Sequence, residues 1–157
     1  MIGYPLLLDL SGKRVVVVGA GTVATRRTAA LVEAGAKVTV IAPTGSAALA
    51  ALDVDWQRRE YTDGDLIGAW LVHAATDDTE VNAAVAADAQ GAGVWCVRAD
   101  DAAESAAWVP AVAREGDVTL AVNAGRNPRL AVAVRDRLGE LLPQIAADSA
   151  SAARRVD

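Results

Sequence analysis

The run Lys13-Arg14-Val15-Val16-Val17-Val18 passes directly into Gly19-Ala20-Gly21-Thr22-Val23-Ala24, and no other stretch restricts the fold so tightly. A short, unbroken apolar run suits a strand buried on both faces, the situation of a parallel sheet covered by helices. The glycines mark a tight turn. After them, Val23, Ala30, Leu31 and Ala34 share one stripe of a helix expected from about Thr22 to Ala34, with Gly35 as its stop. Strand, glycine turn and helix in direct succession form the opening unit of a doubly wound sheet.

The same alternation continues. Lys37 to Ile41 reads as the second strand, closed by Pro43-Thr44-Gly45-Ser46, and Ala47 to Leu52 as a short helical stretch. Asp55 to Arg59 is polar enough for an edge strand, Asp63 to Gly68 is a brief turn, and Ala69 to Ala75 is again a buried-strand run. Asp77 and Glu80 have capping-box spacing for a helix to about Gln90, ended by Gly91-Ala92-Gly93. Val94 to Ala99 then completes a strand–helix order that predicts an α/β, Rossmann-like doubly wound parallel sheet.

Beyond Asp100 the pattern changes. Ala106 to Val112 and Asp117 to Val122 read as two strands joined by Arg114-Glu115-Gly116, a β-hairpin. Asn127-Pro128 opens a helix, since Asn is a preferred N-cap and Pro suits the first helical position; Pro143 is expected to close it. The Ala/Ser-rich remainder reads as a linker-like tail. The expected organisation is residues 1–105 as a nucleotide-binding domain, 106–143 as a hairpin and helix, and 144–157 as the tail.

Gly19 to Ala24 is G-x-G-x-x-A, following a strand and opening a helix. In that setting backbone N–H groups and the positive helix end face a pyrophosphate. Gly19 permits the turn, Gly21 lets phosphate approach the main chain at Thr22 and Val23, and Ala24 keeps helix and strand close. The acidic residue expected about 20 positions on, for the ribose hydroxyls, is missing. The second strand ends Ile41-Ala42-Pro43-Thr44, with no Asp or Glu and no Arg for a 2′-phosphate, which leaves NAD versus NADP open. Pro43 and Thr44 are candidate ribose-side residues, with Thr44 and Ser46 equally suited to a turn. Thr76 and Asp77, at the end of the Ala69–Ala75 strand, lie on the rim where such sheets bind ligands; helix capping is the alternative role of Asp77.

Composition removes several classes. With 53% hydrophobic residues the chain has ample core material, and a net charge of −5 argues against a nucleic-acid partner. No apolar run approaches the roughly 20 residues of a membrane span, and the opening residues do not have the pattern of a signal peptide. The single cysteine, Cys96, and single histidine, His73, suit neither a disulfide nor a metal cluster. Both read as core residues, no metal ligands are assigned, and a cytoplasmic location is expected.

Several landmarks, taken in order, resemble the precorrin-2 dehydrogenase family, the N-terminal module of siroheme synthases. They are YPLLLDLSGKRVVVVGAG, Val23-Ala24-Thr25-Arg26-Arg27, AATDD continuing to Asn82, and Asn127-Pro128-Arg129-Leu130-Ala131. The likeness extends from Tyr4 to Pro143. It implies oxidation of precorrin-2 to sirohydrochlorin with NAD, and in some members insertion of ferrous iron as a second substrate. It places the family's catalytic aspartate at Asp100, ten residues before Pro110, with Asp101 adjacent. Where relatives often read N-x-V-D, this chain has Val97-Arg98-Ala99-Asp100. A carboxylate there can accept a proton or steer the macrocycle.

The resemblance also implies a substrate with eight carboxylates, for which Arg126, Asn127 and Arg129 are candidate binding residues at a helix start. Arg135 and Arg137 read as a solvated helix face, whereas Arg27 falls on the inner stripe with its head towards an opening. Family members are homodimers, and residues 106–142 fit the crossing segment. A competing reading is an NAD-binding regulatory or sensor module without redox activity. Such domains usually end their second strand with an acidic residue, absent here.

Overall fold

The computed structural model describes residues 3–125 and 127–153. The described residues fall into two compact units, residues 5–108 and residues 109–153, the latter together with residues 3–4.

In the first unit, strands β1 (Arg14–Val18), β2 (Lys37–Ile41), β3 (Asp55–Gln57), β4 (Leu71–Ala74) and β5 (Trp95–Arg98) form one parallel sheet. Its order is β3-β2-β1-β4-β5. Helices α1 (Thr22–Glu33), α2 (Ala47–Ala50) and α3 (Thr79–Ala92) make the connections. The four valines of β1 explain its central place: Val15, Val16 and Val17 are fully buried, alternating between the two core clusters. Val16 and Val18 pack with Val72, Val85 and Ala89, and Val15 and Val17 with Ala24, Leu31, Val40 and Leu49. A fully buried valine contributes about 1.5–3 kcal/mol relative to an exposed one, so both layers converge on this strand. The polar strand β3 sits at the edge, as its residues require.

Register fixes the rim. Gln57 pairs with Ile41, Ile41 with Val18, Val18 with Ala74, and Ala74 with Arg98. The loops that follow these five residues therefore leave the sheet on one edge, with the glycine turn at its middle.

Three local expectations are corrected here. The N-cap of α3 is Asp78 rather than Asp77; its Oδ1 accepts from Glu80 N at 2.8 Å and Val81 N at 3.3 Å. The buried stripe of α1 is Ala24, Thr28 and Leu31, and Val23 is turned outward, because small residues allow the helix to close on the sheet. The strand expected from Ala106 begins only at Ala111. The chain before it folds back instead: Ala106 N and Ala107 N donate to Cys96 O at 3.0 and 3.1 Å, and Ser105 Oγ accepts from Arg98 N at 2.9 Å. Pro110, with no N–H to offer a ladder, stands at the boundary.

The second unit holds β6 (Ala111–Glu115) and β7 (Val118–Val122), antiparallel about a two-residue turn at Gly116-Asp117, then α4 (Pro128–Gly139) and α5 (Leu142–Ala153). Asn127 caps α4, its Oδ1 accepting from Leu130 N at 3.0 Å. Arg135 is not on a solvated face: its Nη1 donates to Val112 O at 3.2 Å, tying α4 to β6. Pro143 does not close α4 but is the second residue of α5, and much of the segment expected as a linker-like tail, 144–153, is helical. Alanine's helix propensity and the tolerance for proline in a first turn account for both differences.

Candidate active site

The glycine turn is built by close approach. Gly19 N donates to Ile41 O at 2.9 Å, and its φ is +110°. A Cβ there would lie 2.5 Å from Ala75 O, so the main chains of the first turn and the β4 exit touch where any side chain would intervene. Gly21 differs: a Cβ on it would meet nothing within 4 Å. It is the N-cap of α1, has no side chain to cap the helix, and no acidic residue follows in the first turn. Thr25 N is already engaged with Gly21 O at 2.9 Å, which leaves the amides of Thr22, Val23 and Ala24 as the helix's unpaired first donors. Open space before Gly21 and a bare positive helix end fit a diphosphate. Ala24, fully buried, seats the helix against the strand.

To one side of the turn, Pro43 and Thr44 stand exposed beyond β2. To the other, Thr76 is spent on local structure. Its N–H and hydroxyl both point to Asn82 Oδ1, at 3.1 and 2.8 Å, and Asn82 Nδ2 donates to Thr76 O at 3.2 Å. Asn82 is fully buried, so this loop is held rigidly beside the glycine turn. Asp77, released from capping, is exposed.

Asp100 stands just beyond β5. Its Oδ1 accepts from Arg98 Nε at 3.1 Å and its Oδ2 from Arg98 Nη2 at 2.7 Å, a forked pair. The side chains are only 10% and 20% exposed for Arg98 and Asp100. The guanidinium holds the Asp100 carboxyl below the usual range, aided by its own backbone amide and by Asn82, while partial burial works in the opposite direction. Asp101 is distinguished by geometry: its Oδ1 accepts from Ala103 N at 2.8 Å and Glu104 N at 3.3 Å, a local turn. Asp100 is two strands from the glycine turn on the same rim, about 10 Å by strand spacing.

His73 is buried and its pKa is lowered to about 4, by burial first and then by the charge of Arg27. Burial chiefly pushes the Cys96 thiol up to about 11, which makes it a poor nucleophile. Arg27 is partly buried on α1. Among the described residues no group of three or more His, Cys, Asp or Glu comes together to hold a metal, and no helix is long and apolar enough to cross a membrane.

In the second unit, Asn127 is engaged as a helix cap and Arg129 is exposed; Arg126 lies outside the described residues. Sequence patterning missed Arg98 as the partner of Asp100 and Asn82 as the anchor of Thr76. Neither is periodic: the pairs are two and six residues apart, and they form only through the backbone path at the β5 exit and between β4 and α3.

The profile of the putative NAD(P)-binding family matches residues 6–111. Siroheme synthase 1 of Aeromonas salmonicida is 39% identical over 145 residues, covering 89% of this chain and 31% of that protein. Siroheme synthase of Pseudomonas putida strain W619 is 38% identical over 156 residues, covering 96% of this chain and 34% of its own length. The chain thus spans about a third of the curated relatives it matches. A solved structure of SirC, a precorrin-2 dehydrogenase, superposes with a TM-score of 0.74 at 28% identity, over 88% of this chain and 70% of that one.

Proposed function

Because the chain belongs to the putative NAD(P)-binding family across residues 6–111, we propose that it oxidises precorrin-2 to sirohydrochlorin in siroheme biosynthesis, with a nicotinamide dinucleotide as oxidant. The likeness to siroheme synthases and to the SirC precorrin-2 dehydrogenase supports this assignment. The observation that carries it is an ionised carboxylate, Asp100, on the same sheet edge as the uncapped amides of α1.

The amides of Thr22, Val23 and Ala24 hold the diphosphate, and Gly19 and Gly21 keep its approach clear. Pro43 and Thr44 border the ribose on the β2 side, and the Thr76–Asp77 loop borders the other half. When bound, the nicotinamide ring supplies the hydride acceptor. Oxidation removes two electrons with one hydrogen as hydride and a second hydrogen as a proton. Asp100 receives that proton, or orients the macrocycle through its pyrrole N–H groups. Its low basicity while Arg98 is attached favours the orienting role until that pair opens. The same carboxylate serves ferrous insertion, where pyrrolic protons must leave and iron is a substrate ligated by the macrocycle.

In the second unit, Arg129 and Asn127, with Arg126, are assigned to the substrate's carboxylates. Leu130, Val132 and Leu138 on α4 and Leu141 just after it are all at least 41% exposed, an apolar surface that supports homodimerisation through residues 106–143. A cytoplasmic location belongs to the same proposal.

The test follows sirohydrochlorin and reduced nicotinamide absorbance with precorrin-2 and NAD or NADP. Turnover that disappears in Asp100→Ala, with dinucleotide binding retained, is the expected result. A folded dimer that binds dinucleotide yet never oxidises precorrin-2 rules the activity out. Ferrous ions added after oxidation test the insertion step.

A further inference from the structure

The first turn of α3 carries a buried amide that reaches both halves of the site. Asn82 is fully buried, and its own N–H donates to Asp78 O at 3.1 Å. Its partners dictate which way the side chain is turned. The Thr76 N–H is a donor and must meet the oxygen, and the Thr76 carbonyl is an acceptor and must meet the nitrogen. Asn82 Oδ1 lies 3.1 Å from Thr76 N, and Nδ2 lies 3.2 Å from Thr76 O, so one side chain grips that main chain in both directions. Thr76 in turn abuts the glycine turn: its N would lie 3.0 Å from a Cβ on Gly19.

One hydrogen of this amide is left over. A primary amide has two N–H donors, and Thr76 O takes one of them. An unpaired N–H at a fully buried position is costly, so the second needs an acceptor. The β4–β5 pairing brings one. Ala74 pairs with Arg98, and Ala99 N donates to Ala74 O at 2.9 Å, so Asp100 leaves β5 beside the Ala75-Thr76 segment. Arg98 contributes most to keeping the Asp100 carboxyl ionised, and the Asn82 side chain adds to it by hydrogen bonding. Arg98 belongs to the same strand end as Asp100 and moves with it. Asn82 belongs to α3 and does not.

We infer that Asn82 is a positioning residue: by binding Thr76 and Asp100 with one side chain, it holds the carboxylate at a fixed offset from the glycine turn. The inference rests on the proposed reading of Asp100 and that turn as parts of one redox site. Hydride and proton leave neighbouring atoms of one substrate, so the groups that receive them must keep a constant separation. A misplacement of about 1 Å can cost roughly a hundredfold in rate. Two loop ends do not guarantee that separation, whereas a buried side chain hydrogen-bonded to both does.

Asn82→Asp in the full chain tests it. The variant keeps the shape and the oxygen that receives Thr76 N–H, but turns an acceptor towards Asp100 where the parent has a donor. Asp100 should then titrate at higher pH, read by carbon NMR of labelled aspartate, because a neighbouring like charge disfavours its ionised form. With precorrin-2, the turnover number should fall about tenfold or more and its acid limb should move to higher pH. Dinucleotide affinity, measured by calorimetry, should change less than about twofold, the scale of an intact loop. Asn82→Ser, smaller and neutral, lacks the amide donor and should also raise the Asp100 titration, so the outcome does not depend on one variant folding. Affinity and turnover lost in parallel, with the Asp100 titration unmoved, would make Asn82 a loop anchor alone and overturn the inference. Parent-like titration and acid limb in both variants would overturn it equally. A parent that binds dinucleotide yet never oxidises precorrin-2 refutes the redox reading and the positioning role with it, a result visible before any variant is made.

Discussion

Arg98 and Asp100, two residues apart at the tip of β5, form a forked ion pair at 3.1 and 2.7 Å that occupies both carboxylate oxygens. A bidentate guanidinium stabilises the ionised form and so lowers the basicity of the group proposed to handle a proton. Removing the arginine should therefore act on Asp100 chemically rather than structurally. In Arg98→Val the Asp100 carboxyl should titrate at higher pH, read by carbon NMR of labelled aspartate. Turnover should change its pH profile with it. An unchanged Asp100 titration would show that Arg98 does not control the group.

Two glycines of one turn should respond oppositely to the same methyl. Gly19→Ala places a Cβ against Ala75 O with φ at +110°, so destabilisation on the order of 1–3 kcal/mol is expected in denaturant melts. Gly21 has an ordinary negative φ and open space, so Gly21→Ala should cost less than about 1 kcal/mol. It should nonetheless weaken dinucleotide binding, because the methyl occupies the diphosphate approach. A Gly21→Ala chain with unaltered affinity would remove the diphosphate from that position.

His73 predicts an acid limb. Its folded pKa of about 4 lies below the ordinary 6.5, so the unfolded chain binds the extra proton first. Stability from this residue is complete above pH 6.5 and falls as pH drops from 6.5 towards 4, by on the order of 3 kcal/mol. His73→Gln should flatten that part of the stability profile relative to the parent. Parallel profiles across this window would place the acid sensitivity elsewhere.

The apolar helices of the second unit offer a test of association. Leu138→Glu and Ile145→Glu introduce charges at positions 41% and 53% exposed, which a monomer should tolerate. Light scattering should report a shift from dimer towards monomer with little change in helical content. A dimer that persists in the double variant would locate the interface away from α4 and α5.

The valine run and G-x-G-x-x-A, read in order, already specified a buried parallel strand, its turn and its helix. These are consequences of local chemistry: apolar residues need two covered faces, and a tight turn needs glycine. Asn127-Pro128 announced the start of α4 in the same way. The α3 cap slipped by one residue because Asp77 and Asp78 are both competent caps, and only the placement of Thr76 against Asn82 selects between them. The Ala-rich end was misjudged because weak periodicity conceals a helix whose propensity is nonetheless high.

What the chain could not declare by itself was which groups meet. Asp100 and Arg98 are neighbours in sequence, but whether their side chains pair depends on the path beyond β5, closed by Ser105 and the Ala106–Ala107 amides. Trp56, Gly45 and Ala20 come together only because β3 pairs with β2 and β2 with β1. Elements arise from interactions a few residues long, whereas a site arises from strand order and register, which the packed sheet alone decides.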